Sequence, residues 1–200
     1  MPSNASTSFE LSILEALREA FAHPDVGTFL EAVSRLGDCG FIWIAAGVVL
    51  LLFAATRRAG ASMLTALLLG YLVCNVTLKP LVERLRPCDI VENMALIACP
   101  ADFSFPSGHT TSAFAAATAL FLVHRRYGFA ALVFAALMAF SRLYLFVHFP
   151  TDIFIGAVIG ILCAWGAVAF VGGVARRFTC RRTCAKSAGS ADSVDSKESA

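Results

Sequence analysis

Apolar residues in this chain fall into five long runs, and most charges lie in the gaps between them. The runs cover roughly residues 37–56, 61–78, 109–123, 129–147 and 151–175. Most approach the ~20 residues that a helix needs to cross a bilayer. Composition agrees: 58% of the residues are hydrophobic and 15% charged, and the mean hydropathy is +0.74. Ordinary soluble domains sit near 45–50% apolar and about 25% charged. The expected fold is all-α, an integral membrane helical bundle of about five transmembrane helices over residues 37–175. The third run is the shortest and opens with Thr110, Thr111 and Ser112. It is accepted as a span because it lies between two firm ones and has a basic cluster at its far end.

Two segments flank this core. In residues 9–23, Phe9, Leu11, Ile13, Leu14, Leu17 and Phe21 recur at helical spacing among Glu10, Glu15, Arg18 and Glu19, which predicts an amphipathic helix. A second apolar-periodic stretch holds Val26, Phe29, Leu30, Val33 and Leu36. Residues 1–36 are therefore expected to form an amphipathic interfacial segment that lies on the membrane or caps the bundle. No basic start and long apolar core mark them as a signal peptide. Residues 176–200 are expected to form a basic, disordered tail.

Arginines orient the bundle. Arg57 and Arg58 join the first two runs, Arg125 and Arg126 the third and fourth, and Arg176, Arg177, Arg181 and Arg182 follow the fifth. If the helices alternate, all three clusters share one side, which the positive-inside rule makes cytoplasmic. The N-terminal region and residues 79–108 then lie outside. The first forty residues carry six acidic and two basic side chains, which suits that side. The basic residues form no continuous stripe interleaved with aromatics, so nucleic acid is not an expected partner.

On the outer side the ends of the runs carry ionisable groups in three short segments. These are Lys79-x6-Arg86-Pro87, Pro106-Ser107-Gly108-His109 and Ser141-Arg142-x5-His148-x3-Asp152. Charge is costly at the centre of a membrane helix and cheaper at its ends, where a headgroup can reach it. Pro80 is expected to kink or end the helix between Lys79 and Arg86, letting both turn toward one anion. The Pro-Ser-Gly-His segment reads as a turn feeding a helix N-terminus, where free N–H groups and the helix dipole attract phosphate. Ser107 can cap that helix and donate to a phosphate oxygen, and His109 is positioned to lend a proton. Arg142 suits bidentate phosphate contact. Asp152 can accept the Nδ1–H of His148 and leave its Nε2 lone pair free.

Together these segments resemble the three-part signature of the type-2 phosphatidic acid phosphatase superfamily, which also includes vanadium haloperoxidases and acid phosphatases. The resemblance covers roughly residues 37–175. It implies a helical bundle and phosphoryl transfer without a metal or other cofactor. It makes His148 the nucleophile of a phosphohistidine intermediate, Asp152 its orienting carboxylate and His109 the acid that protonates the leaving oxygen. Lys79, Arg86, Ser107, Gly108 and Arg142 would hold the phosphate. The membrane setting points to a lipid substrate at an extracytoplasmic site in the cell membrane. Undecaprenyl diphosphate is the leading expectation, with phosphatidic acid or phosphatidylglycerol phosphate as the alternative.

Competing readings are a non-catalytic lipid-binding or transport protein, a haloperoxidase-like enzyme using vanadate, and a zinc hydrolase with His109, His148 and Asp152 as ligands. Binding alone needs no nucleophile, membrane spans do not suit the second, and the crowd of cations disfavours the third. Other residues have plainer readings. Arg84 reads as a headgroup or surface contact, and Glu83, Asp89, Glu92 and Asp102 as loop charges. His23 reads as a helix end, His124 as an interfacial base, and Trp43 and Tyr144 as anchors or packing groups. Cys74 and Cys163 read as small packing residues, while Cys88 and Cys99 bracket a loop that a bridge could staple in an oxidising compartment. Gly156-x3-Gly160 reads as a close helix contact and, more weakly, as the seam of a homodimer.

Overall fold

A computed structural model describes the backbone over residues 5–91 and 94–198 and side chains as far as residue 177. Glu92 and the tail beyond residue 177, where disorder was expected, fall outside the described side chains. Every regular element among the described residues is helical. Residues Met1–Val168 and Ala169–Ala200 form two compact units, and the features below belong to the first.

The N-terminal segment makes two helices, α1 (Ala5–Ala20) and α2 (Pro24–Leu36). Pro24 opens α2, and the His23 side chain caps it by accepting from the Asp25 N–H. Both helices pack on α8 (Arg125–Tyr144). Leu14 of α1 is fully buried against Phe146 and Phe149, a burial that stabilises by roughly 1.5–3 kcal/mol. The face that α1 turns inward also buries Glu10, which the periodicity assigned to the polar side, and it leaves Phe9 exposed.

Gly37 and a short 3-10 turn, Asp38–Gly40, break the chain before α3 (Phe41–Leu52). Cys39 and Gly40 take φ of 54° and 67°, in the left-handed region, where glycine is tolerated and cysteine is uncommon. Across this turn the axes of Asp25–Leu36 and Asp38–Leu52 differ by 44°. At 12 residues, α3 alone reaches about 18 Å, short of the hydrocarbon thickness. Three helical stretches are long and apolar enough to cross: Arg57–Ile90, Arg125–Tyr144 and Pro150–Arg177. The bent pair makes a fourth span if counted as one, and α7 (Gly108–Val123) is a shorter apolar helix. The five apolar segments are therefore present, but two of them are short or bent. The reason is that both end in polar turns that serve the site.

Helix α7 is the centre of the bundle. It packs on α8, on α4 (Arg57–Tyr71) and on α3. Its Ala113, Ala115, Ala116, Ala117 and Ala119 are all buried, so it has no polar stripe. Small residues let neighbours approach closely. In α9 (Pro150–Glu198), a Cβ at Gly160 would lie 2.6 Å from the Thr111 carbonyl oxygen, and one at Gly156 2.9 Å from that of Ser107. The glycine pair thus seats α9 against the start of α7 within one chain. Outward-facing Phe129, Val133, Phe154 and Leu162 are mostly exposed, as side chains that face lipid would be. Trp43 and Tyr144 are packing groups: Trp43 lies beside Phe134, and the Tyr144 hydroxyl donates to the Phe21 carbonyl at 3.1 Å.

Candidate active site

The three sequence segments meet at one cavity of about 620 Å³. Lys79, Arg86, Gly108, His109, Arg142 and His148 are among its lining, together with Asn75 and Asp102. The same cavity is lined by the apolar or aromatic Ile44, Leu64, Leu67, Leu68 and Tyr71. Ser107 and Asp152 belong to the layer behind this wall and are fully buried.

Lys79 arrives on a distorted helix. After α4 the chain runs through a π-helical stretch, Leu72–Leu78, into the short α5 (Lys79–Val82). Pro80 has no N–H to continue the ladder, and the wide turns before it take up the mismatch. The chain leaves this helix at Glu83, with φ of 50°, and is extended at Arg86 before α6 (Pro87–Ile90). The kink expected at Pro80 is therefore a π-helical turn followed by a left-handed stop.

Arg86 is 2% exposed and spends its donors on several acceptors. Nε donates to the Asp102 carbonyl at 2.8 Å, Nη2 to Asp102 Oδ1 at 2.6 Å, and Nη1 to the Val147 carbonyl at 2.8 Å. Nη1 also lies 3.2 Å from His148 Nε2. That nitrogen is thus not a free lone pair, as the sequence reading had it, but faces a guanidinium donor. Asp102 is likewise no loop bystander, because its other oxygen pairs with Lys79. Burial alone would raise the Asp102 carboxyl, but Lys79 and Arg86 outweigh it and hold the group down at about 2. Two of the three cations expected to bind phosphate are therefore already holding a carboxylate.

His148 sits in the buried loop between α8 and α9. Burial pushes it down to about 3, with the Arg86 and Arg142 charges acting the same way and Asp152 opposing. It is therefore neutral near pH 7, the state a nucleophilic imidazole needs. Asp152 Oδ2 is 3.5 Å from His148 Nδ1, longer than an ordinary hydrogen bond. The same oxygen accepts from Ser104 Oγ at 2.5 Å and from the Phe149 N–H at 2.9 Å. Its partner Oδ1 accepts from Arg84 Nη1 at 2.7 Å. Arg84 is therefore a buried-site contact and not a surface one. It also bonds Thr151 Oγ1 at 2.7 Å, pairs with Glu10 and stacks on the Phe149 ring at 4.0 Å.

The N-terminal turn of α7 faces the cavity through Gly108, His109, Thr111 and Ser112. A Cβ at Gly108 would come within 3.1 Å of the Asn75 side-chain oxygen, so glycine keeps this backbone open. Ser107 caps the helix, accepting from the Thr110 N–H at 3.5 Å and from Thr110 Oγ1 at 3.1 Å. Its hydroxyl is fully buried and supports the turn. His109 Nε2 lies 2.9 Å from Asp38 Oδ1. Arg142 is 3% exposed and donates through Nη1 to Ser34 Oγ, and its Nε has no partner among the described residues.

Cys88 and Cys99 form a disulfide with Cα atoms 6.0 Å apart, which staples the loop leading to Asp102 and Ser104. Cys88, Asp89 and Cys99 are also the group of potential metal ligands whose donor atoms converge among the described residues, but both sulfurs are bonded to each other. His109, His148 and Asp152 do not converge in that way.

The PAP2 superfamily model matches residues 59–176, more than half of the chain, and the protein belongs to that superfamily. An undecaprenyl-diphosphatase of Sulfolobus acidocaldarius is 30% identical over 60% of this chain and 59% of its own length. A decaprenylphosphoryl-5-phosphoribose phosphatase of Mycolicibacterium smegmatis is 37% identical over 74% of this chain and 81% of its own. The chain thus spans about three fifths of the first relative and four fifths of the second. The crystal structure of a transmembrane PAP2 type phosphatidylglycerolphosphate phosphatase from Bacillus subtilis superposes with a TM-score of 0.72 at 26% identity. It covers 86% of this chain and 89% of that one. The chain is a multi-pass helical membrane protein of this superfamily.

Proposed function

We propose that the protein is a membrane lipid phosphatase that hydrolyses a lipid phosphoester or diphosphate through a phosphohistidine on His148. One observation carries the reading: a single cavity is lined both by three cations and two imidazoles and by aliphatic and aromatic side chains. A phosphate joined to an alkyl tail is the ligand that matches both.

In this reading Lys79, Arg86 and Arg142 take the phosphoryl oxygens, joined by the backbone at the start of α7. His148 Nε2 attacks phosphorus in line with the leaving oxygen, and Arg86, already beside Nε2, moves its donor to the phosphoryl group. His109 gives its proton to the leaving alkoxide or phosphate. Water then attacks the phosphohistidine, returns its proton to His109 and frees His148 as neutral imidazole. No metal is required by these steps, and the non-convergent geometry of His109, His148 and Asp152 speaks against the zinc alternative.

Undecaprenyl diphosphate is the leading substrate, supported by the name of the Sulfolobus relative. Phosphatidylglycerol phosphate is the second reading, supported by the Bacillus structure. An extracytoplasmic site is supported by the arginine distribution and by the disulfide beside the cavity, since such bridges persist in oxidising surroundings. The test is phosphate release by purified protein from undecaprenyl diphosphate, phosphatidate, phosphatidylglycerol phosphate and a soluble phosphoester. Turnover of a lipid in EDTA, blocked by vanadate and abolished in His148→Ala, supports the reading. Near-normal turnover in that variant ends it, and so does lipid binding without phosphate release.

A further inference from the structure

The residues assigned to the chemistry belong to the segment matched by the family model, yet side chains from outside that segment reach two of them directly and a third through Arg84. The match begins at residue 59. Ahead of it, Asp38 Oδ1 lies 2.9 Å from His109 Nε2. Ser34 accepts from Arg142 Nη1. Glu10 pairs with Arg84, whose Nη1 holds Asp152 Oδ1 at 2.7 Å, and Glu10 Oε1 also accepts from the Thr151 N–H and Oγ1 at 3.1 and 2.6 Å. Glu10 and Ser34 are 7% and 2% exposed, so they meet their partners from buried positions, whereas Asp38 meets His109 with most of its side chain exposed.

Backbone placement points the same way. A Cβ at Gly37 would lie 2.9 Å from His109 Cδ2 and 2.5 Å from Met138 Sδ. The chain is therefore pressed against the His109 ring one residue before the carboxylate that meets it. The left-handed pair Cys39–Gly40 then turns it away into α3. Glycine, carboxylate and turn are what seating an acid against one imidazole requires.

We infer that α1, α2 and the turn that follows them are a positioning element of the active site, with Asp38 orienting His109, Ser34 holding Arg142, and Glu10 fixing Asp152 through Arg84. The inference rests on the proposed phosphatase reading. Each contact has its own kinetic consequence. A hydrogen bond from His109 Nε2 to Asp38 fixes the ring plane and tautomer, leaving Nδ1 as the nitrogen that exchanges a proton with the leaving group. Proton donation matters for a poor leaving group and little for a good one. Loss of Asp38 must therefore discriminate between leaving groups, whereas a loosened fold cannot.

The experiment uses the full chain, purified, with two substrates carrying the same tail: an alkyl phosphate and a nitrophenyl phosphate. Asp38→Ala and the isosteric Asp38→Asn should lose about tenfold or more in kcat/KM on the alkyl ester and less than about threefold on the aryl ester. Glu10→Ala should lose kcat/KM equally on both, because it acts on the nucleophile side. Ser34→Ala should weaken vanadate inhibition. Parallel losses on both esters in both Asp38 variants would overturn the inference, as would wild-type rates in all four variants. His148→Ala is run alongside. If wild type releases no more phosphate than His148→Ala, the phosphatase reading itself fails. If wild type is active and the Asp38 variants do not discriminate, only the positioning role fails.

Discussion

Arg86 joins four parts of the site in one side chain: Asp102, the Phe103 and Val147 carbonyls, and His148 Nε2. A lysine there keeps one charge but not the fork. We expect Arg86→Lys to fold and to lose about 10²-fold in kcat/KM on a lipid phosphate, measured by phosphate release. Asp102 occupies the same cations, so an incoming phosphate must displace its carboxylate from Lys79 and Arg86. Asp102→Asn should therefore tighten inhibition by vanadate. It should also remove a pH-dependent part of stability. The folded pKa of Asp102, about 2, lies below the ordinary carboxylate value, so its contribution is present at neutral pH and fades as pH falls toward about 2. Thermal melts of wild type and Asp102→Asn should converge across that window. His148 also favours folding at higher pH. Unfolded, it takes a proton near 6.5; folded, it waits until about 3, so its contribution is complete above 6.5 and is lost as pH falls between those values.

Individual elements explain why some of this was legible in sequence and some was not. Lys79, Arg86, His109, Arg142, His148 and Asp152 announce themselves because residues of rare type for an apolar chain sit at the ends of apolar runs, in three short local patterns. Their partners carry no local pattern. Ser104 meets Asp152 across 48 residues, Arg84 meets the same carboxylate across 68, Asp38 meets His109 across 71 and Ser34 meets Arg142 across 108. Only the packing of α1 and α2 on α8, and the loop stapled by Cys88–Cys99, brings them in. Hydrophobic periodicity also misassigned Glu10, since a salt bridge to Arg84 outweighs its expected place on the polar face. The Gly156–Gly160 contact was readable as a close approach, and it carries a prediction. Gly160→Ala puts a methyl 2.6 Å from the Thr111 carbonyl oxygen, so α9 must shift from α7. A loss of about 1–3 kcal/mol is expected, seen as a lower unfolding midpoint, with reduced activity because α7 opens at Gly108. Removing the bridge by Cys88→Ser should cost about 2–3 kcal/mol for a loop with a sequence separation of 11.

For the whole molecule the remaining question is which way the bundle faces, and its cysteines can answer it. The seven cysteines divide into groups that the proposed orientation treats differently. Cys39 is exposed and lines the cavity, and Cys88 and Cys99 are paired beside it. Cys74 is buried within the bundle, and the half-buried Cys163 lies midway along the last apolar run. Cys180 and Cys184 follow the last arginine cluster's first members on the opposite side in the alternating arrangement. A thiol reagent that cannot cross membranes, applied to intact cells, should therefore label Cys39 alone. After external reduction it should add Cys88 and Cys99, because the disulfide faces the same compartment as the reagent. Cys180 and Cys184 should react only once the membrane is opened. This pattern follows from helix alternation and from the cost of moving arginine clusters across a bilayer, whatever the chemistry of the site. Labelling of Cys180 and Cys184 from outside, with Cys39 protected, would invert the bundle. The cavity, with its two imidazoles and its carboxylate-occupied cations, would then open to the cytoplasm, and a lipid phosphate of the inner leaflet would replace the outer one as substrate.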